Sequence, residues 1–428
     1  MSAQNPREIA VNLIARRDSG QFIENLLSDA LRRSEMSPSD RGLCQELTYG
    51  MVRWRETLDW LIARKTQNRS QHRMLQNLLR LGLYQIFWLE RIPHHAAVHE
   101  TVELARRLGF NSQAGFVNAV LRGYVREFEP TKKLLDELKV TQSHLGYSHP
   151  EWLVARWQKR WGADEATSLM EWNNIPPKTF ARVNTLKADA AKLLLQWREE
   201  GVEYDFVRRD WFEDNLIFEL KSHPPLDSLK SFQEGLFYVQ DPGTLLAVRE
   251  LDPKTGENIL DACSAPGGKL TFIAQLLQNE GRVTAHDISA DRLKLIQENC
   301  QRLGVTRIEI TDHLPKSARS FDRVLVDAPC SNTGVLRRRV DLRWRIRPEE
   351  IQKLASMQVN LLKQTAVLLK PGGVLVYSTC SLEQEENQDV VKKFLSDNPN
   401  FSLERERELT PFADGVDGAY VARLKRIN

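Results

Sequence analysis

Two cysteines each follow a short apolar run: Val324-Leu325-Val326-Asp327-Ala328-Pro329-Cys330-Ser331, and Val374-Leu375-Val376-Tyr377-Ser378-Thr379-Cys380. Each run reads as a buried strand. In an open α/β sheet, the loops past the carboxyl ends of the strands form the ligand crevice. Two thiols delivered to one crevice, one of them close behind Asp327, point to nucleophilic chemistry. Covalent attack on a pyrimidine ring is the leading candidate. The bland alternative is two small apolar packing residues, a common fate of cysteine. Position at two strand ends argues against it. Spacing does not choose which thiol attacks.

A second motif, Asp261-Ala262-Cys263-Ser264-Ala265-Pro266-Gly267-Gly268-Lys269, follows an earlier strand and opens a helix. Glycines there let the backbone approach a ligand closely. It is not a Walker A loop, because the first glycine is missing and Leu270 stands where Ser or Thr would hold Mg²⁺. It is not G-x-G-x-x-G either, which disfavours a pyrophosphate dinucleotide. Asp287 ends the next strand, where an acid can take the two hydroxyls of a ribose. Asp312 ends the third and is expected to reach an adenine amino group. Ribose and adenine without phosphates mean S-adenosyl-L-methionine. Residues Cys263, Ser264, Ala265, Pro266, Gly267, Gly268, Lys269, Asp287, Asp312 and Asp327 form the expected cofactor site. Cys263 is expected to contribute only backbone, and Cys300, in a helix, only packing. Lys269 is expected to contact the cofactor carboxylate or a nucleic acid; a surface lysine at a helix start is the weaker reading.

The elements that position these residues come last in the chain. Strands are predicted at Ile259–Cys263, Val283–Asp287, Ile308–Asp312, Arg323–Asp327, Val374–Ser378 and Ala419–Leu424, with helical patterns at Ala290–Leu303 and Glu349–Leu369. This alternation predicts a doubly wound, Rossmann-like domain over residues 236–428. Residues 1–140 read as all-helical: apolar positions recur at Phe22, Leu26, Leu27, Ala30, Leu31 and at Leu75, Leu78, Leu79, Leu83, Ile86. Between them, residues 145–235 read as linker helices and a small α/β subdomain of RRM-like type. Strands are predicted at Phe180–Asn184 and Leu216–Leu220, and a helix at Ala190–Glu200.

The chain has 428 residues, enough for two or three domains, with 41% hydrophobic and 27% charged residues. No apolar stretch approaches the ~18 residues that span a bilayer. The opening MSAQNPREIA lacks a basic-then-apolar leader layout, so a cytoplasmic location is expected. Five cysteines without a C-x-x-C pair argue against disulfides and zinc, and no metal site is expected. His94 and His95 have no further ligand at useful spacing and read as a helix-start loop. Net charge is only +3. Its distribution says more: residues 331–347 hold six arginines and one acid, with Trp344 interleaved. Arg337, Arg338, Arg339 and Arg343 are therefore expected to contact RNA phosphates. A solvated helix face or loop is the alternative.

By these motifs the C-terminal region resembles RNA cytosine-C5 methyltransferases. Their marks are C-x-A-P-G-G-K (here Cys263 to Lys269), D-A-P-C-S (Asp327 to Ser331) and S-T-C-S (Ser378 to Ser381). The N-terminal region resembles the NusB-like RNA-binding domain, including Phe116-Val117-Asn118-Ala119-Val120-Leu121-Arg122. Together they cover nearly the whole chain and resemble the bacterial enzymes that methylate 16S ribosomal RNA. Two positions depart from the pattern. Arg339-Val340-Asp341 stands where His-Pro-Asp is usual, and Gly418-Ala419-Tyr420 where Gly-Phe-Phe is usual.

The resemblance implies a chemistry. A thiolate adds to C6 of cytosine, C5 becomes an enamine carbon, and C5 attacks the methyl sulfonium. The resemblance assigns attack to Cys380 and adduct release to Cys330. Asp327 would hydrogen-bond N3 and the amino group and, if protonated, neutralise charge building on the ring. The target base would have to be looped or flipped out. The implied partner is 16S ribosomal RNA or an early small-subunit assembly intermediate, with the protein acting as a monomer. Two alternatives remain: a transfer RNA cytosine-C5 methyltransferase, and a non-catalytic RNA-binding assembly factor with a relic cofactor fold. A methyltransferase for exocyclic amines would want N-P-P-Y in place of Asp327 to Cys330.

Overall fold

The computed structural model describes residues 5–17 and 20–427; residues 1–4 of the leader reading lie outside the described residues. The chain forms two compact units, one of residues 1–175 with 336–345, the other of residues 176–335 with 346–428.

The first unit is helical, from Pro6–Arg17 to Ala163–Asn174. The predicted apolar stripe is its core. Leu75, Leu78, Leu79, Leu83 and Ile86 are all buried on the helix Arg73–Trp88. Each such side chain contributes about 1.5–3 kcal/mol by leaving water. The breaker Ser37-Pro38 starts a helix: Ser37 Oγ accepts from the Asp40 amide at 3.1 Å. The helices Glu151–Trp161 and Ala163–Asn174, read as linker helices of the middle region, belong to this unit.

So does the arginine-rich segment, and here the expectation of RNA contact needs correcting. Arg343 is fully buried, and its guanidinium donates to the carbonyls of Arg53 (3.1 Å), Ser148 (3.0 Å) and Asn173 (2.9 Å) and to Asn174 Oδ1 (2.8 Å). Burial pushes its pKa well down, with the Arg53 charge adding to the effect. Arg337 is also buried, with its guanidinium over the Trp172 ring. Asp341 takes Arg17 Nε at 2.5 Å and the Ile23 amide at 3.1 Å. Val340 joins the helical core, so that half of the first departure from the family pattern is a packing position. Arg337 and Arg343 hold this segment down rather than face a ligand. Arg338 is half-buried and Arg339 exposed.

The second unit contains two sheets. The smaller has strands β1 (Thr179–Val183), β2 (Glu203–Val207), β3 (Ile217–Ser222) and β4 (Phe237–Val239), in the order β2-β3-β1-β4. With the helix Ala190–Glu200 after β1 and the short helix Lys230–Gln233 before β4, it is a β-α-β-β-α-β, ferredoxin-like arrangement. Trp197, Phe218 and Phe237 are its core.

The larger sheet has β5 (Asn258–Asp261), β6 (Arg282–His286), β7 (Ile308–Thr311), β8 (Phe321–Asp327), β9 (Leu369–Thr379), β10 (Phe401–Leu409) and β11 (Ala419–Arg426). Their order is β10-β11-β9-β8-β5-β6-β7. Strands β5 to β9 run parallel; β11 and β10 add antiparallel at the β9 edge. This is the expected Rossmann-like architecture. Val324, Leu325 and Val326 are all buried, as a strand covered on both faces requires. Strand order reverses beside β5, which opens the crevice at its carboxyl end. Ala419 and Tyr420, the second departure, are buried in β11. Among the described residues, no helix is long and apolar enough to cross a membrane.

Candidate active site

β8 and β9 are adjacent and parallel, with Asp327 opposite Ser378. That register brings the two following loops together. Cys330 Sγ and Cys380 Sγ lie 3.3 Å apart, and both thiols are free. Their surroundings differ. Cys330 is buried, whereas Cys380 is partly exposed. The Cys380 contact, burial and the Glu386 charge push the Cys330 thiol well above its ordinary pKa. Cys380 Sγ also donates to Asn332 Oδ1 at 3.0 Å. The loops close on each other at Gly334, whose amide donates to the Cys380 carbonyl at 3.0 Å. A Cβ at Gly334 would fall 2.5 Å from the Gly418 carbonyl oxygen, so no larger residue fits.

Asp327 ends β8. Its Oδ2 takes Lys269 Nζ at 2.6 Å and its Oδ1 takes Ser378 Oγ at 2.8 Å. Burial opposes the Lys269 charge, but the Asp327 carboxylate prevails and holds its pKa above the ordinary lysine value. Lys269 is therefore no surface lysine: its partner is Asp327.

The cofactor loop runs from Asp261 to the helix Gly268–Leu276. Gly267 has φ +102°, a conformation that favours glycine. A Cβ on Gly268 would meet the Tyr238 ring at 3.0 Å. Neighbouring elements clamp the loop. The Ser264 amide donates to the His286 carbonyl (2.9 Å), Arg292 to the Ala265 carbonyl (3.1 Å) and Asn299 to the Pro266 carbonyl (2.9 Å). Asp287 is buried beyond β6, and its Oδ2 accepts the Ala265 amide at 3.3 Å. Asp312 stands at the end of the edge strand β7, exposed, with its carboxyl on His313 at 2.8 Å. That bond holds it below the usual carboxylate range. Burial and the neighbouring acids raise the Cys263 thiol, which keeps it neutral. Cys300 is buried in the apolar cluster beneath the loop.

Several contributors had no role assigned from the sequence. Asp261 is buried, and neither of its carboxylate oxygens makes a hydrogen bond of good geometry among the described residues, although the Ser264 side chain and the Cys263 backbone weakly oppose the rise of its pKa. Burial and the Asp327 charge push its pKa up to about 7. Arg182, on β1, donates to the Gly268 carbonyl at 2.8 Å and to Thr271 Oγ1 at 3.0 Å. An arginine inside the apolar strand Phe180-Ala181-Arg182-Val183 was the available signal, since a buried charge needs a partner. Glu386 accepts hydrogen bonds from both thiol-bearing loops, and nothing local in the sequence marks it.

The donor set fits S-adenosyl-L-methionine. A buried carboxylate with no well-formed hydrogen bond wants a cation or a donor, which the ligand's positive charge would supply. The comparisons agree. Residues 248–425 match the family described as 16S rRNA methyltransferase RsmB/F, residues 4–126 the NusB family, and residues 149–219 the RsmF/B-like ferredoxin-like domain. The chain is thus an S-adenosyl-L-methionine-dependent methyltransferase with an N-terminal NusB domain. It is 37% identical to the protein named probable ribosomal RNA small subunit methyltransferase B of Bacillus subtilis, over 100% of both chains. It is 35% identical to ribosomal RNA small subunit methyltransferase B of Klebsiella pneumoniae, over 96% of each. The crystal structure of NSun6 from Pyrococcus horikoshii with SFG, an S-adenosyl-L-methionine analogue, matches with a TM-score of 0.58 and 25% identity, covering 65% of this chain and 98% of that one. The chain belongs to the ribosomal RNA small subunit methyltransferase B family.

Proposed function

We propose that this protein methylates C5 of a cytosine in 16S ribosomal RNA through a covalent bond between Cys380 and C6. The carrying observation is the unequal thiol pair, 3.3 Å apart beside the Lys269–Asp327 ion pair. The attacking thiol must be reachable and must lose its proton. Cys380 is the more exposed of the two. Cys330, raised well above its ordinary pKa, keeps its proton and can donate a hydrogen bond to a Cys380 thiolate.

Thiolate addition at C6 turns C5 into a nucleophilic carbon. When bound, S-adenosyl-L-methionine supplies an electrophilic methyl group to that carbon. Asp261, the loop Cys263-Ser264-Ala265-Pro266-Gly267-Gly268, Asp287 and Asp312 would hold it. The Asp327 carboxylate, its charge balanced by Lys269, would accept a hydrogen bond from the amino group, and a proton held between Asp327 and N3 would neutralise charge building on the ring. Release needs loss of the C5 proton and cleavage of the C6–Sγ bond, and Cys330 stands where it can assist. Exposed Arg339 and half-buried Arg338 remain candidates for phosphate contact. The substrate class is carried by the family, whose named members act on small-subunit ribosomal RNA.

The test is methyl transfer from labelled cofactor to 16S RNA and to transfer RNA. Label at C5 of a 16S cytosine supports the reading. Label on transfer RNA alone, or on an exocyclic amine, contradicts it.

A further inference from the structure

Glu386 is fully buried in the turn Gln384–Glu386 that follows β9. Its Oε1 accepts from the Ser331 amide at 2.8 Å and from Gln358 Nε2 at 3.1 Å. Its Oε2 accepts from Ser381 Oγ at 2.6 Å and also from Ser331 Oγ. The two serine hydroxyls themselves meet at 3.0 Å. Ser331 directly follows Cys330, and Ser381 directly follows Cys380. One carboxylate thus collects donors from both Cys–Ser pairs. The Gln358 amide reaches the Pro329 carbonyl at 2.9 Å, fixing the first loop from the other side.

A buried carboxylate persists where several donors meet it. Burial raises the Glu386 pKa and the donors oppose that rise. Glu386 touches neither a base nor a methyl group, because it is fully buried with protein donors on both of its oxygens. We propose that Glu386 is a positioning residue: by clamping Ser331 to Ser381 it holds Cys330 and Cys380 at their working separation. The proposal rests on the two-thiol reading above and adds what keeps the thiols in register.

The decisive experiment reads thiol geometry without RNA or cofactor. The full-length protein is treated with diamide, a diazene oxidant. Two thiols lose two electrons and two protons to the N=N bond, which becomes a hydrazine, and an S–S bond forms. The Cys330–Cys380 linked peptide is timed by mass spectrometry. Wild type should cross-link readily. Glu386→Ala should slow that step by about tenfold and lower kcat for methyl transfer by about 10²-fold, with KM for RNA and cofactor unchanged. Glu386→Gln should fall between, because its amide oxygen still accepts from the Ser331 amide. Wild-type cross-linking rates in both variants overturn the proposal. Should Glu386→Ala fail to fold, Glu386→Gln combined with Ser381→Ala decides by the same readout: slow cross-linking supports the clamp, a wild-type rate overturns it. Slow cross-linking in the variants, together with a wild type that methylates no RNA cytosine, leaves the clamp standing and removes the functional reading.

Discussion

Lys269 Nζ lies 2.6 Å from Asp327 Oδ2, joining the cofactor loop to the strand end that precedes the thiol Cys330. The pair is mostly shielded, at 16% and 32% exposure, so solvent and salt screen it less than a surface ion pair. Lys269→Met should lower kcat by about 10²-fold, because Asp327 then meets the base with its charge unbalanced. Lys269→Arg should restore part of the loss. The sign of the pH effect follows from the raised Lys269 pKa. The pairing is complete below the ordinary lysine value of about 10.4 and fades only as pH rises through the higher folded value. Lys269 should therefore add no limb to the pH–rate profile between about pH 6 and 9. A Lys269→Met enzyme with wild-type kcat would contradict this.

Asp261 gives a second pH signature. Its pKa is pushed up to about 7, above the unfolded value. An acid raised in this way costs no stability below about pH 4, and its cost grows to full size as pH passes 7, on the order of 4 kcal/mol. Asp261→Asn should raise the Tm of the cofactor-free protein at pH 8 and leave it unchanged at pH 4. It should also weaken S-adenosyl-L-methionine binding, because the buried carboxylate is the natural place for the ligand's positive charge. In the wild type, binding near pH 7 should release a proton, detectable calorimetrically as a dependence on buffer ionisation enthalpy. Equal Tm at pH 8 and equal affinity would remove Asp261 from the site.

The buried arginines make a contrast with the exposed one. Arg343→Ala strips hydrogen bonds from three buried carbonyls and should destabilise the helical unit by about 3–5 kcal/mol. Arg339→Ala should leave Tm unchanged and reduce the slope of log affinity for RNA against log salt by up to about one. Thermal melts and salt titrations separate the two. A thermally silent Arg343→Ala would refute the structural role.

The sequence exposed the site where its residues are contiguous. Asp327 to Ser331 and Ser378 to Ser381 are local motifs, and parallel pairing of β8 with β9 does the rest. Residues that act across the fold were hidden. Glu386 meets Ser331 from 55 residues away, and Arg182 meets Gly268 from 86 away. The arginine-rich segment misled because charge density implies solvent unless partners are known, and its partners are carbonyls far back in the chain. Among the strands, β10 was missed because Leu403-Glu404-Arg405-Glu406 is exposed on the sheet edge and shows no apolar alternation. Strand β2 is exposed in the same way, and β4 is only three residues long.

The most direct measurement is adduct trapping with the wild type, Cys380→Ala and Cys330→Ala. Each is incubated with 16S RNA and labelled S-adenosyl-L-methionine, then resolved on a denaturing gel. Cys330→Ala should accumulate a protein–RNA adduct that resists denaturation, and Cys380→Ala should form none. The reverse pattern would exchange the two thiols. A Cys380→Ala enzyme that still transfers methyl groups at the wild-type rate would contradict covalent catalysis by Cys380.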